Sequence, residues 1–224
     1  MTRMYAAANT HGFIAIHPNG TGAMQAWNGG ACCPPNAAVT TDDVGFSAAI
    51  LDEVSARICV NRRRVYATGF SNGAFMAYRL ACELSNRIAA IVPVAGVLGV
   101  GACNPSRAVP VGHFHGMLDT YVPYDGSPSV VGASFSSVPG TINAFGVLNG
   151  CSGAPQAFLT SGDTTCYRYA NGCTSNAEVR ICQSSSASHT WPGADPNEMP
   201  GETTTQALDA TAAMWQFFSL YQLP

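Results

Sequence analysis

Lysine is absent from this 224-residue chain, and all ten of its cations are arginine. A P-loop nucleotide site of the usual kind, a Schiff-base enzyme and a Ser-Lys hydrolase each need a lysine, so all three are excluded. Charge of either sign is scarce. Charged residues make up 10% of the chain and the formal net charge is −3, which leaves no basic face for nucleic acid. No apolar run approaches the ~20 residues of a membrane-spanning helix. The cysteines contain no C-x-x-C pair, which argues against a zinc ribbon or a thioredoxin-type motif. A basic start followed by an apolar core of about 7–15 residues, the mark of a secretory signal, is also missing. Met1 to Asn9 reads instead as the middle of a helix.

Apolar residues supply 47% of the sequence. The length and this texture suit one domain over residues 1–224 with a sizeable core. Nine cysteines are scattered along it: Cys32, Cys33, Cys59, Cys82, Cys103, Cys151, Cys166, Cys173 and Cys182. Such usage reads as disulfides formed in an oxidising compartment. The pairing does not follow from the sequence. The odd count leaves at least one thiol unpaired or paired outside the chain, and the loop-rich stretch from Cys151 to Cys182 is expected to hold one or two bridges. The cysteine content and the opening of the chain conflict, and a truncated or misplaced start would resolve them.

Hydrophobic patterning predicts alternating strands and helices. Gly12 to His17 is a short apolar run closed by Pro18-Asn-Gly and reads as a buried strand. Thr21 to Ala38 reads as a loop. Thr41-Asp42-Asp43 caps a helix that carries Val44, Ile50, Leu51, Val54 and Ile58. Arg64 to Gly69, Ile88 to Ala95 and Val109 to His115 are expected strands, with a helix from Asn72 to Leu84 between the first two. Thr120 to Gly140 is expected to be irregular and Thr141 to Leu148 helical. Ala157 to Leu159, Thr165 to Tyr169 and Glu178 to Cys182 are further strands. A polar loop from Ser184 to Gly201 precedes a closing helix from Thr204 to Tyr221. This order predicts an α/β fold, a mostly parallel sheet with helices on both faces.

The sharpest motif is Gly69-Phe70-Ser71-Asn72-Gly73. It falls where a strand turns into a helix, the setting in which a G-x-S-x-G turn lifts a serine Oγ above the sheet. Ser71 is therefore the candidate nucleophile, with small residues needed on both sides of it. The backbone N–H of Asn72 is the candidate oxyanion donor. A serine needs a base, and the base needs an orienting carboxylate. In this fold class they follow in the order acid, then histidine, each past the end of a strand. Asp119 and His189 fit. Asp125 in the same loop is the rival acid, Asp42 and Asp43 read as helix caps, and Asp163 and Asp195 read as solvated loop residues. His113 and His115 lie two apart on one strand and so share a face. No third ligand has metal-site spacing, and both read as core or loop-anchoring residues. His11 and His17 precede the nucleophile, the wrong order for a base.

Five segments carry a resemblance to a known family. They are Trp27-Asn28 with Cys32-Cys33, Asp42 to Phe46, Arg64 to Gly73, His115-Gly116 with Asp119 and Val122-Pro123-Tyr124, and Ser188 to Gly193. The chain resembles the secreted polyhydroxybutyrate depolymerase-like and feruloyl esterase-like proteins of the α/β-hydrolase fold. Residue by residue, the resemblance makes Ser71 the nucleophile, Asp119 the orienting acid and His189 the base. It implies a secreted, monomeric ester hydrolase with no metal or cofactor, whose partner is an ester substrate rather than a nucleic acid or a membrane.

The family carries more sheet before the first strand seen here, including a strand ending in His-Gly whose loop gives a second oxyanion N–H. The chain is thus expected to be N-terminally incomplete, less stable and less active than a relative with that strand. Feruloyl-type esters of plant polysaccharide are the expected substrate, with polyhydroxybutyrate-type polyesters and acetyl esters on xylan as alternatives. A peptidase with the same triad, or an inactive domain that only binds glycan or polyester, are further readings. Trp191, Tyr121 and Tyr124 flank the triad positions and are candidates for an aromatic substrate wall.

Overall fold

The computed structural model describes residues 1–32 and 40–224. Six strands form one sheet: β1 (Tyr66–Phe70), β2 (Ala90–Val94), β3 (Val111–Gly116), β4 (Gln156–Ser161), β5 (Thr164–Tyr169) and β6 (Val179–Ser184). Their spatial order is β1-β2-β3-β6-β5-β4. The four strands from β1 to β6 in that order run parallel, whereas β5 pairs antiparallel with β6, and β4 antiparallel with β5. The expected mostly parallel sheet thus ends in an antiparallel hairpin on one side.

Strand alternation divides the buried side chains into two cores. On one face, Ile91, Val111, Val179 and Ile181 meet Phe75 and Tyr78 of α3 (Asn72–Glu83) and Ile142 and Phe145 of α4 (Val138–Leu148). Leu51 of α2 (Asp43–Arg57) packs against the same cluster. On the other face, Val92, Val94, Phe114 and Cys182 meet Met214, Phe217 and Phe218 of α5 (Ala210–Phe218). The first helix, α1 (Met4–His11), lies over α5 on this side, and His11 and Phe13 stack on Trp215 at 5.2 and 4.8 Å.

Two elements differ from expectation. Residues 12–17 form no strand, and Ile14 and Ile16 are 52% and 44% exposed. A strand exists through its ladder, and among the described residues β1 pairs with β2 alone, so this apolar run has no strand beside it. The last helix starts at Ala210 rather than Thr204, because the Asp209 carboxylate accepts from the N–H groups of Thr211 and Ala212 and caps it there. Of the stretch expected to be irregular, Thr120 to Gly140, residues 120–137 are turns and irregular chain, whereas Val138 to Gly140 already belong to α4, which the Ser137 hydroxyl caps through the N–H of Gly140. Part of the loop expected over Thr21 to Ala38, including Cys33, lies outside the described residues.

Three disulfides have described partners. Cys82–Cys103 ties the end of α3 to the loop before β3, Cys151–Cys173 closes the loop after α4, and Cys166–Cys182 joins β5 to β6 at a registered pair. Two of the three therefore fall in the Cys151 to Cys182 stretch. Cys32 is also disulfide-bonded, and Cys59 is an exposed free thiol.

Candidate active site

Ser71 sits between β1 and α3 with φ 54° and ψ −120°, a region that costs a non-glycine residue about 1–3 kcal/mol. The turn is held by its surroundings. The Ser71 N–H donates to Val94 O at 2.9 Å. A Cβ on Gly69 would fall 2.2 Å from Gly73 O, and one on Gly96 would fall 2.8 Å from Ser71 O. A Cβ on Gly73 would meet nothing within 4 Å. The steric need is therefore for Gly69 and for Gly96 in the next strand's loop, not for a small residue on both sides of Ser71. Asn72 opens α3, so its N–H has no carbonyl to bond within its own helix.

His189 arrives on the loop after β6. Its Nε2 lies 2.8 Å from Ser71 Oγ, and its Nδ1–H donates to Asp119 Oδ2 at 2.7 Å. The His189 backbone N–H donates to Glu202 Oε2 at 3.1 Å, and Ser188 and Thr203 exchange two further bonds that hold the loop. Asp119 stands on the turn after β3. Its Oδ1 accepts from the N–H groups of Tyr121 and Val122 at 2.9 and 2.8 Å. The β3 turn and the His189 loop touch at Gly116, where a Cβ would fall 2.3 Å from both Ala187 O and Ser188 O. Glycine at this point is what lets acid and base approach.

Asp119 is 4% exposed. Burial alone would push its carboxyl up, but hydrogen bonds from His115 and His189 outweigh that and lower it to about 2. Its anion is held at neutral pH with an acceptor aimed at His189. The rival Asp125 is exposed and accepts from Ser127 in its own turn.

Of the three aromatic candidates, Tyr121 stacks on His189 with ring centroids 5.0 Å apart. Tyr124 lies behind the Asp119 turn, its hydroxyl on Gln183 and its ring edge-on to His115. Trp191 is 2% exposed in the α5 core and its Nε1–H donates to Thr211 Oγ1 at 3.1 Å. It is a packing residue and not part of an exposed wall. The other ring on His189 is Phe70, at 4.8 Å. A cleft of about 530 Å³ runs along the open edge of β1 to Ser71, with Ile16, Trp27, Phe70 and Met76 among its lining residues.

Several supporting residues were not foreseen. The Asn72 side chain accepts from the Trp27 N–H at 2.6 Å and donates to Trp27 O at 3.0 Å. Asp43, expected as a cap, is 1% exposed and accepts from the Asn28 N–H at 2.6 Å, while Asp42 alone caps α2 through Gly45. Asp163, expected to be solvated, accepts from Thr205, Ser186 and Thr164 and ties the β4–β5 turn to the loop that follows His189.

A mostly parallel sheet with a serine on a strained strand-to-helix turn defines an α/β-hydrolase. A family profile described as phospholipase/carboxylesterase matches residues 16–132, and the chain belongs to that family. It is 32% identical over 194 residues to feruloyl esterase B of Piromyces equi, covering 82% of this chain and 35% of that protein. It is 30% identical over 117 residues to the bifunctional acetylxylan esterase/xylanase XynS20E of Neocallimastix patriciarum, covering 52% and 16%. It is 28% identical over 205 residues to a probable feruloyl esterase C of Aspergillus clavatus, covering 92% and 63%. The chain thus spans less than two thirds of each of these relatives.

Proposed function

We propose that the chain hydrolyses carboxylic esters through Ser71, His189 and Asp119. The observation that carries this reading is the continuous path from Ser71 Oγ to His189 Nε2 at 2.8 Å and from His189 Nδ1 to Asp119 Oδ2 at 2.7 Å. Ser71 Oγ attacks the ester carbonyl as His189 Nε2 takes its proton. Asp119 keeps the imidazole in the right tautomer and stabilises the imidazolium. The Asn72 N–H faces the oxyanion of the tetrahedral intermediate. Collapse expels the alcohol, which leaves with the proton from His189. Water, deprotonated by the same nitrogen, then releases the acid from the acyl-serine.

The substrate class in this proposal is a feruloyl-type ester on plant polysaccharide. Two things support it: the feruloyl esterase names of the relatives, and an exposed Tyr121 stacked on His189 that offers a phenolic acyl group an aromatic surface. Acetyl esters on xylan are the second reading, favoured by the likeness to XynS20E. The disulfides among the described residues support work in an oxidising, extracellular setting.

Fluorophosphonate labelling tests the nucleophile. One equivalent should bind, map to the peptide containing Ser71 and be lost in Ser71→Ala. A folded wild-type chain that takes no label, or takes it elsewhere, would overturn the assignment.

A further inference from the structure

A second chain of hydrogen bonds runs through the core behind Asp119. Tyr78 on α3 is fully buried, and its hydroxyl lies 2.8 Å from His113 Nδ1. His113 Nε2 lies 3.0 Å from His115 Nδ1. His115 Nε2 lies 2.9 Å from Val122 O and 3.3 Å from Asp119 Oδ2. Both imidazoles are 1% exposed, and the reaction described above uses neither.

The end of this chain dictates the rest of it. Val122 O and the Asp119 carboxylate only accept, so His115 Nε2 must carry the proton. In a neutral ring, His115 Nδ1 is then the acceptor, and His113 Nε2–H donates to it. His113 Nδ1 is in turn left as an acceptor for the Tyr78 hydroxyl. Reversing the order would turn a lone pair of His115 toward a carboxylate and a carbonyl in a dry interior, where unpaired acceptors are costly.

We infer that Tyr78, His113 and His115 form a tautomer-locked relay, with His115 as a positioning residue that holds the Asp119 turn in register with His189. The inference rests on the triad reading. His115 clamps the carbonyl of Val122, whose N–H is already bonded to Asp119 Oδ1. The carboxylate therefore sits between two imidazoles, one that works and one that supports. Burial of His113, with His115 beside it, holds its imidazole well below the usual range, in keeping with a neutral ring. The remaining groups around His115 are the edge-on ring of Tyr124 and Gln183, its partner in β6.

The direct test is nitrogen NMR of the full chain carrying ¹⁵N-labelled histidine at neutral pH, in wild type and in Ser71→Ala. His113 and His115 should both show a protonated Nε2 and a bare Nδ1 in each protein. The opposite tautomers, or an imidazolium at His115, would overturn the relay. Kinetics test the positioning role. His115→Leu should lower kcat on the order of 10²-fold through a misplaced Asp119 while KM stays unchanged. His115→Gln keeps an N–H donor near the Nε2 position and should recover most of that loss. Equal activity in wild type and both variants, or equal loss in both, would contradict the role. A wild-type chain that turns over no ester would fail the triad reading instead, and the histidine spectra tell the two failures apart.

Discussion

The Asn72 side chain is bonded to the Trp27 main chain on both sides of the peptide, Oδ1 to its N–H and Nδ2 to its carbonyl. The residue after the proposed nucleophile thereby fixes a loop from the other side of the cleft with the same geometry that one strand offers another. Its backbone N–H is the oxyanion donor in the proposed mechanism, and its side chain ties the first turn of α3 to that loop. Asn72→Ala leaves the Trp27 N–H without its partner and the Trp27 carbonyl with the Gly29 N–H alone. Thermal unfolding should show a loss of about 1–3 kcal/mol, with kcat reduced. A variant as stable and as fast as wild type would mean that the loop is held elsewhere.

Gly116 carries the approach of the acid turn to the base loop. A methyl group there would press on Ala187 O and Ser188 O, and both are backbone atoms that cannot rotate away. Gly116→Ala should separate Asp119 from His189, destabilise the fold by about 1–3 kcal/mol and cost more in kcat than in KM. Crystal structures of both forms would show whether the 2.7 Å bond lengthens.

Acid should weaken the fold in two stages. His113 is held neutral by burial, so its folded value lies below its unfolded one. Its stabilising share is complete above the unfolded value near 6.5 and declines as pH falls below it, by about 1.4 kcal/mol per pH unit. Asp119 is lowered from 3.8 to about 2. Its share, about 2 kcal/mol, is present above pH ~4 and is lost as pH falls toward ~2. Urea unfolding from pH 8 to pH 3 should show the first decline, and His113→Asn should flatten it between pH 6.5 and 5. An unchanged slope in that variant would place the titrating group elsewhere.

The Cys166–Cys182 bridge joins two strands next to the base loop, with both sulfurs in the core beneath β6. Replacing both cysteines by alanine should cost about 2–4 kcal/mol. Calorimetry should also show a lower unfolding temperature on treatment with reductant. Insensitivity to both would show that packing of the two strands suffices without the bond.

The three polar residues of the site were legible because each falls where a turn leaves a parallel strand. The strand-turn-helix context of Ser71 and the chain order that followed from it pointed to His189 and to Asp119, with Asp125 as the rival acid, and the structure brings His189 within hydrogen-bond distance of both Ser71 and Asp119. What packs behind them was not legible. Trp191 lies two residues from His189 in sequence, yet its ring turns into the α5 core. Loop proximity says nothing about which way a side chain faces. Asp43 looked like a cap because acidic residues before helices usually are, but its neighbour Asp42 fills that role. Residues 12–17 have the apolar pattern of a strand, and a pattern cannot supply the partner that a ladder requires. The histidine pair on β3 shared a face by its spacing and, for want of a third metal ligand, read as core or loop-anchoring, but its link to Asp119 depends on how the following turn folds back.

The most direct measurement is ester hydrolysis by the purified chain, with methyl ferulate and p-nitrophenyl butyrate, in wild type, Ser71→Ala and Asp119→Asn. The account predicts turnover in wild type, its disappearance in Ser71→Ala and a loss on the order of 10⁴-fold in Asp119→Asn. Turnover that survives in Ser71→Ala, or a folded wild-type chain that hydrolyses neither ester, would contradict it.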